Sequence, residues 1–424
     1  MSEPSRAAVP DHPVVVVLEG DGIGPEVLAS ARQVLDAATG RLYRKQRTID
    51  WRLVPSGSAN SLLPDETVAA LREHRTALRG PFAAPDEGGQ SRALELGGLL
   101  DVFVGEIRLR DDAREIVLLL EASEGSAAPA EAAPVEPETD ALLRLVRREV
   151  PSVATAIRFG TRERVESYLR AVGRPEPALV ETGLGVELIS REGTERFIGA
   201  SLALAEREQR RRVTLVVDPS ATPHAAEFFA DTAYRVASER FPGVAVTHPD
   251  FMRATVRASE AVAAALRDRA LEAGLWIEQR SLAEACELAD RRGSFDVVCA
   301  PWAEGLLLAH LLAGEDAATT AVVRSNPETG AVIGETLHGT AAALKGKDRA
   351  NPTAAIRAGA RVLWTLGWTE MPAAIEAAIN QALAPGTLPS KRKSSADAKA
   401  AAGTGPAKLQ GSAFTQAVIA ALAR

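Results

Sequence analysis

The apolar run at residues 13–18 narrows the possible folds more than any other stretch of this chain. Its valines show no polar alternation, so a strand built from them must be covered on both faces. Directly after it comes Gly20-Asp21-Gly22-Ile23-Gly24-Pro25-Glu26, and then a helical pattern over 25–38. A buried strand, a glycine turn and a helix, in that order, form the repeating unit of α/β folds. At 424 residues the chain is long enough to bury a large core and is expected to split into two domains.

The same grammar recurs along the chain. Strands are expected at 51–54, 153–158, 213–217 and 295–300, and helices at 65–74, 162–171, 193–208, 224–239, 255–271, 281–291, 352–366, 372–384 and 411–422. Gly367 is a good stop for the helix before it. Between 121 and 140 lies a piece rich in Ala, Pro and Glu, read as a flexible acidic loop. Residues 389–410 read as a mobile linker that includes the basic triplet Lys391-Arg392-Lys393.

Composition excludes some functions. Aromatic residues make up only 4%, too few for a base-stacking surface, and the net charge of −7 opposes duplex binding. Neither single-stranded nor double-stranded nucleic acid is therefore an expected partner. No stretch of about 18 apolar residues is present, so no membrane span is expected. Cys286 and Cys299 are too few for a disulfide scaffold and read as buried thiols, which points to the cytoplasm.

A second glycine-rich stretch, 334–352, follows the apolar run 331–333 and precedes a helix opened by Asn351-Pro352-Thr353. Small residues at 339–343 let main-chain N–H groups approach a flat or anionic ligand, and His338 has a ring able to stack on a purine. An ordinary crossover loop explains the same residues.

Four segments, in order, carry a family likeness. They are Gly20 to Glu26; Ser190-Arg191-Glu192-Gly193-Thr194-Glu195-Arg196; Phe295-Asp296-Val297-Val298; and the loop with Glu335, His338-Gly339-Thr340-Ala341, Gly346-Lys347 and Ala350-Asn351-Pro352. Together they resemble the isocitrate and 3-isopropylmalate dehydrogenases. The likeness implies an α/β fold of that type, with two domains around a mixed sheet. The outer domain would hold 1–110 and 285–388, the middle domain 111–284, with a terminal helix at 411–424. It also implies a nicotinamide cofactor contacted by Glu335, His338, Gly339, Thr340, Ala341 and Asn351.

The catalytic part of the resemblance is broken. Enzymes of this family oxidise a 2-hydroxy acid with a divalent metal held by carboxylates, a Lys and a Tyr. Counting from the nearest motifs, Asp218 stands at the Lys position and Val165 at the Tyr position, with Tyr168 one helical turn further on. The three metal-binding Asp positions are Leu282, Leu306 and His310. His310 invites a softer-metal reading with Glu304 or His224, or an ordinary structural role. Ala83-Ala84-Pro85 and Gly97-Gly98 occupy places where relatives carry a Thr and an Arg of the substrate site. Arg108 and Arg158 remain as candidate substrate arginines, and Ala343-Leu344 replace the pair that reads the adenosine ribose.

The resulting expectation is a catalytically degenerate member of that family, acting as a binding, regulatory or scaffold subunit. It would bind NAD or another adenine nucleotide weakly, without magnesium or manganese, and form a homodimer or a hetero-oligomer with an intact paralogue. The rivals are an active oxidoreductase or decarboxylase with altered chemistry, and an adenine-nucleotide sensor.

Overall fold

The structure, a computed structural model, describes residues 9–383 and 410–423 apart from 45, 60, 86–90, 111–113, 128–129, 133–140, 142–144, 146–147, 150–161, 174–183, 221 and 290–291. The chain opens with β1 (Val14–Leu18), α1 (Gly24–Tyr43), β2 (Asp50–Val54), α2 (Asp65–His74), β3 (Thr76–Arg79) and α3 (Arg92–Leu100). Its middle runs through β4 (Val104–Arg110), β5 (Glu115–Glu121), β6 (Ala130–Ala132), α4 (Arg162–Ala171), β7 (Leu184–Val186), α5 (Arg191–Arg207), β8 (Arg212–Val217) and α6 (Pro223–Arg240). Then follow β9 (Ala245–Thr247), α7 (His248–Arg257), α8 (Glu260–Ala273), β10 (Leu275–Ser281), α9 (Leu282–Glu287), β11 (Val297–Pro301) and α10 (Trp302–Ala313). The last elements are β12 (Ala321–Asn326), β13 (Ala331–Thr336), α11 (Thr353–Thr365), α12 (Met371–Leu383) and α13 (Gly411–Leu422).

The large sheet has the order β2-β1-β3-β13-β12-β4-β5-β11-β8-β10-β9. The first four strands run parallel, as do the last five. Between them, β13–β12, β12–β4 and β4–β5 are antiparallel. Three reversals make the two parallel blocks run in opposite directions, so the sheet is mixed, as the sequence led us to expect. β11 lies between β5 and β8, in the block otherwise built from the middle of the chain.

Helix periodicity explains the covering layers. α1 buries Val27, Leu28, Ala31, Val34, Leu35 and Ala38, a stripe at spacings of three and four. That stripe packs with Ile356 of α11, Ile375 of α12 and the stripe Phe414, Val418 and Leu422 of α13. Leu28 and Leu35 are fully buried, and each contributes about 2 kcal/mol relative to exposure. In the second block, Phe197, Leu202 and Phe229 cover one face of the sheet, while Leu308 and Leu312 of α10 cover the other.

Two expectations about loops and helices change. The described part of the acidic segment is ordered locally: Gly125–Ala127 is a 3-10 turn, and Ala130–Ala132 pairs with Leu184–Val186. The Glu121 carboxylate fixes its start by accepting hydrogen bonds from the main-chain N–H groups of Ser123 and Glu124, at 2.9 and 2.8 Å. The helix expected at 255–271 is instead α7 and α8, divided at Ser259, whose hydroxyl caps α8 by accepting from Val262 N at 3.3 Å. The linker at 389–410 lies almost wholly outside the described residues. No helix among the described residues is long and apolar enough to cross a membrane.

Candidate functional site

The turn after β1 and the stretch after β13 are built against each other. Gly22 has φ +59°, and a Cβ placed there would lie 2.0 Å from the carbonyl oxygen of Thr340, so only glycine fits. The contact is used, because Ile23 N donates to that same oxygen at 3.0 Å. Glu26 accepts a hydrogen bond from Gly346 N, and Asp348 accepts from Gly411 N and Ser412 N at 3.1 and 2.8 Å, tying the loop to the start of α13. Held at both ends, the loop exposes Gly339 and Ala341, the latter in a left-handed conformation at φ +40°.

Within the loop the expected contacts divide. Burial lowers the pKa of His338, which favours the neutral ring. With its Nδ1–H donated to the Gly339 carbonyl at 3.0 Å, Nε2 is an acceptor with no partner among the described residues. Asn351 Oδ1 accepts from Thr353 N and Oγ1, at 3.0 and 2.7 Å, and so starts α11. Glu335, expected among the cofactor contacts, is 4% exposed and instead pairs with Arg79 of β3 and Arg324 of β12. Its strand lies between theirs, so strand pairing buries this carboxylate beneath the loop.

Arg79, Arg324 and Glu335 belong to a larger buried cluster. Arg92 at the start of α3 is 1% exposed, pairs with Asp21 of the glycine turn, and donates to the carbonyls of Ser56 and Gly57 at 3.0 and 3.2 Å. Two of the guanidiniums approach the Phe82 ring, at 4.9 Å for Arg79 and 4.5 Å for Arg92, while Trp302 is 6.0 Å from Arg324. Among the described residues, three arginines face two carboxylates, one positive charge in excess. Burial is the main cause that lowers the Arg79 pKa; Glu335 opposes it, and Arg324 and Arg92 add to it.

Gly97 makes room for this arrangement. A Cβ there would sit 2.7 Å from Arg324 Nη1, so the guanidinium of β12 fills space beside the Gly97-Gly98 pair. Arg324 thus places a cation from β12 beside the Gly97-Gly98 pair of α3, where the resemblance would have an arginine. Sequence reading missed Arg79, Arg92 and Arg324; the available signal was a charged residue, Arg324, inside the apolar strand Ala321–Asn326.

The other half of the expected site is different. Asp218 directly follows β8, and its Oδ1 accepts from Ser220 N at 3.0 Å. Burial raises the pKa of Glu304 in α10, and the charges of Glu187 and Asp218 add to the effect. Negative charge therefore gathers where the resemblance calls for a lysine. Leu282 and Leu306 pack, half-buried, against the apolar cluster around Leu118, Leu308 and Leu312. His310 is exposed, with Nδ1 2.9 Å from the Leu306 carbonyl one turn back.

Arg108, expected near a substrate, is instead consumed in a network. It pairs with Glu106, Glu115 and Glu208, and Glu106 also pairs with Arg361. The reason is strand position, since neighbouring carboxylates of β4 and β5 surround its guanidinium. Val165 falls within α4, and Tyr168 on the same helix is 48% exposed. Arg158 lies outside the described residues.

A family model for isocitrate/isopropylmalate dehydrogenase matches residues 14–256 and 276–418. The chain belongs to the isocitrate/isopropylmalate dehydrogenase family. Among curated relatives, an isocitrate dehydrogenase [NADP] of Staphylococcus aureus (strain MSSA476) is 27% identical over 392 residues, 89% of each chain. One from Haloferax volcanii is 26% identical over 403 residues, covering 91% of this chain and 88% of the relative.

Solved structures agree on the fold of this family member. The isocitrate dehydrogenase from Methylococcus capsulatus has a TM-score of 0.68 at 20% identity, covering 97% of this chain and 100% of that one. A beta-decarboxylating dehydrogenase from Thermococcus kodakarensis has a TM-score of 0.63 at 19% identity, covering 97% and 96%.

The residues present fit the two groups implied by the family unequally. A nucleotide fits in part: the exposed main chain at Gly339 and Ala341 suits an adenine, while His338 Nε2 is buried and Ala343 and Leu344 offer a ribose no polar side chain. A magnesium or manganese ion does not fit the Leu282, Leu306 and His310 set, since hard cations need oxygen donors. Among the described residues, no group of three or more His, Cys, Asp or Glu side chains is placed to hold a metal.

Proposed function

We propose that this chain is a catalytically degenerate member of its family, one that binds an anionic adenine nucleotide at the loop 338–343 without metal-assisted oxidation. It acts as a binding or regulatory subunit, in a homodimer or beside an intact paralogue. The observation that carries this reading is Leu306, a metal position by resemblance, packed with Leu282 against an apolar cluster. Asp218 at the lysine position supports it, because reversed charge there removes the family's proton carrier. The surplus cation of Arg79, Arg92 and Arg324 supports an anionic ligand beneath the loop. Unpaired Cys286 and Cys299 support a reducing, cytoplasmic setting.

Calorimetric titration of the purified chain with NAD, NADP, ATP and AMP tests the proposal, alongside metal analysis. Binding of adenine nucleotides with equal affinity in magnesium and in chelator is expected. Dinucleotide binding that requires stoichiometric magnesium or manganese would overturn it. A second reading, an active NADP-dependent 2-hydroxy-acid oxidoreductase, draws on the relatives named isocitrate dehydrogenase [NADP]. Nicotinamide reduction with isocitrate, followed by absorbance, separates the two readings.

A further inference from the structure

We infer that the starts of β5, β8 and β11 form a second anion site, separate from the loop at 338–343, for a compact polyanion of the phosphate or polycarboxylate type. An open cavity of about 370 Å³ lies there, lined by Arg114, Glu115, Arg210, Arg211, Arg212 and Asp296 among others. That volume suits a small molecule. Among the described residues, Arg210, Arg211 and Arg212 face two carboxylates in this lining, and both carboxylates are already engaged. Glu115 pairs with Arg108, Arg110 and Arg210. Asp296 accepts from Arg210 Nη1 at 3.0 Å and from the main-chain N–H of Arg211 at 2.9 Å.

The remaining charge is held in place by neutral groups. Arg211 Nη1 donates to the Gly274 carbonyl at 3.4 Å and Arg212 Nη1 to the Ser294 carbonyl at 3.1 Å; among the described residues neither has an ion pair. These bonds orient two guanidiniums and leave their charge uncompensated. Planar guanidiniums bind phosphate and carboxylate oxygens through paired N–H groups, which gives the cavity its ligand class. Asp218 follows the far end of β8, roughly 20 Å from Arg212 at about 3.3 Å per residue, so this site stands apart from the position of the family lysine.

The test is calorimetry on the full chain at fixed ionic strength, with inorganic pyrophosphate in one arm and citrate in the other. Saturable one-to-one binding of at least one is expected, and the arm that saturates names the chemistry. Arg211→Gln with Arg212→Gln should weaken binding ten-fold or more, as loss of charged hydrogen bonds does. Gly293→Asp provides a second variant that keeps every arginine: its new Cβ would meet only the tip of Arg114, at 2.8 Å, and its carboxylate would enter the cavity. It should weaken binding equally, while adenine-nucleotide titration of the loop at 338–343 stays unchanged in both variants. No saturation of the wild type by about 10 mM of either anion, or equal affinity in the wild type and Gly293→Asp, would overturn the inference.

Discussion

The two parallel blocks of the sheet have kept different things. In the first, β1, β3 and β13 position a glycine turn, a loop and the buried Arg79–Glu335 pair, which Arg324 joins from the neighbouring β12, and the fit depends on main-chain shape, as where Gly22 meets Thr340. In the second, β8 leads into Asp218 and β11 into α10, positions that the resemblance assigns to the reaction, and the side chains there are acidic or apolar. Main-chain geometry survives changes of side-chain chemistry when neighbouring packing is preserved. The fold is therefore a weaker guide to the reaction than the donor atoms it presents.

Removing the carboxylate that the first block is arranged around should break this contrast most strongly. Glu335→Ala leaves Arg79 and Arg324 buried without their shared partner, and a loss of roughly 3–5 kcal/mol is expected in urea denaturation. A loss below about 0.5 kcal/mol would show that the cluster does not organise this block.

The seam between the blocks should respond to acid. Burial alone raises the Glu106 pKa, but the charges of Arg361 and Arg108 outweigh it and hold the group down to about 2 against an ordinary 4.5. With the folded value depressed, the stabilisation is complete above pH 4.5 and is lost as pH falls towards 2. It amounts to roughly 3 kcal/mol, from about 1.36 kcal/mol per pH unit. Glu106→Gln should flatten this part of the stability-pH profile; an unchanged slope there would remove Glu106 from the account.

Gly22→Ala sharpens the comparison from the side of main-chain shape. The added methyl meets the Thr340 carbonyl and the residue keeps a left-handed φ, so a cost of about 1–3 kcal/mol is expected, with faster hydrogen exchange at Ile23. Leu306→Asp probes the other block. A carboxylate against the apolar cluster should cost about 1–2 kcal/mol, and a neutral result would mean the position is open to an ion after all.

Local patterns were readable in the sequence, and long-range partners were not. The helices at 65–74 and 411–422 were legible residue for residue, because each has a clear apolar stripe between clear ends. β10 escaped notice because its apolar character stops at Ile277, and the rest of the strand carries Glu278, Gln279 and Arg280. The loop and its glycines were legible as main-chain devices. The burial of Glu335 and the capture of Arg108 were not, since both depend on strand register across β3, β13 and β12 and across β4 and β5. Arg324 filling the space beside Gly97 joins residues more than two hundred positions apart, and no local pattern encodes that.

The loss of oxygen donors at Leu282, Leu306 and His310 is the central claim, and manganese binding followed by electron paramagnetic resonance tests it most directly. With a nicotinamide nucleotide and a 2-hydroxy acid present, the protein should leave the free-ion signal of added Mn²⁺ undiminished up to about millimolar concentration. Loss of that signal at one ion per chain, reversed by chelator, would contradict the account.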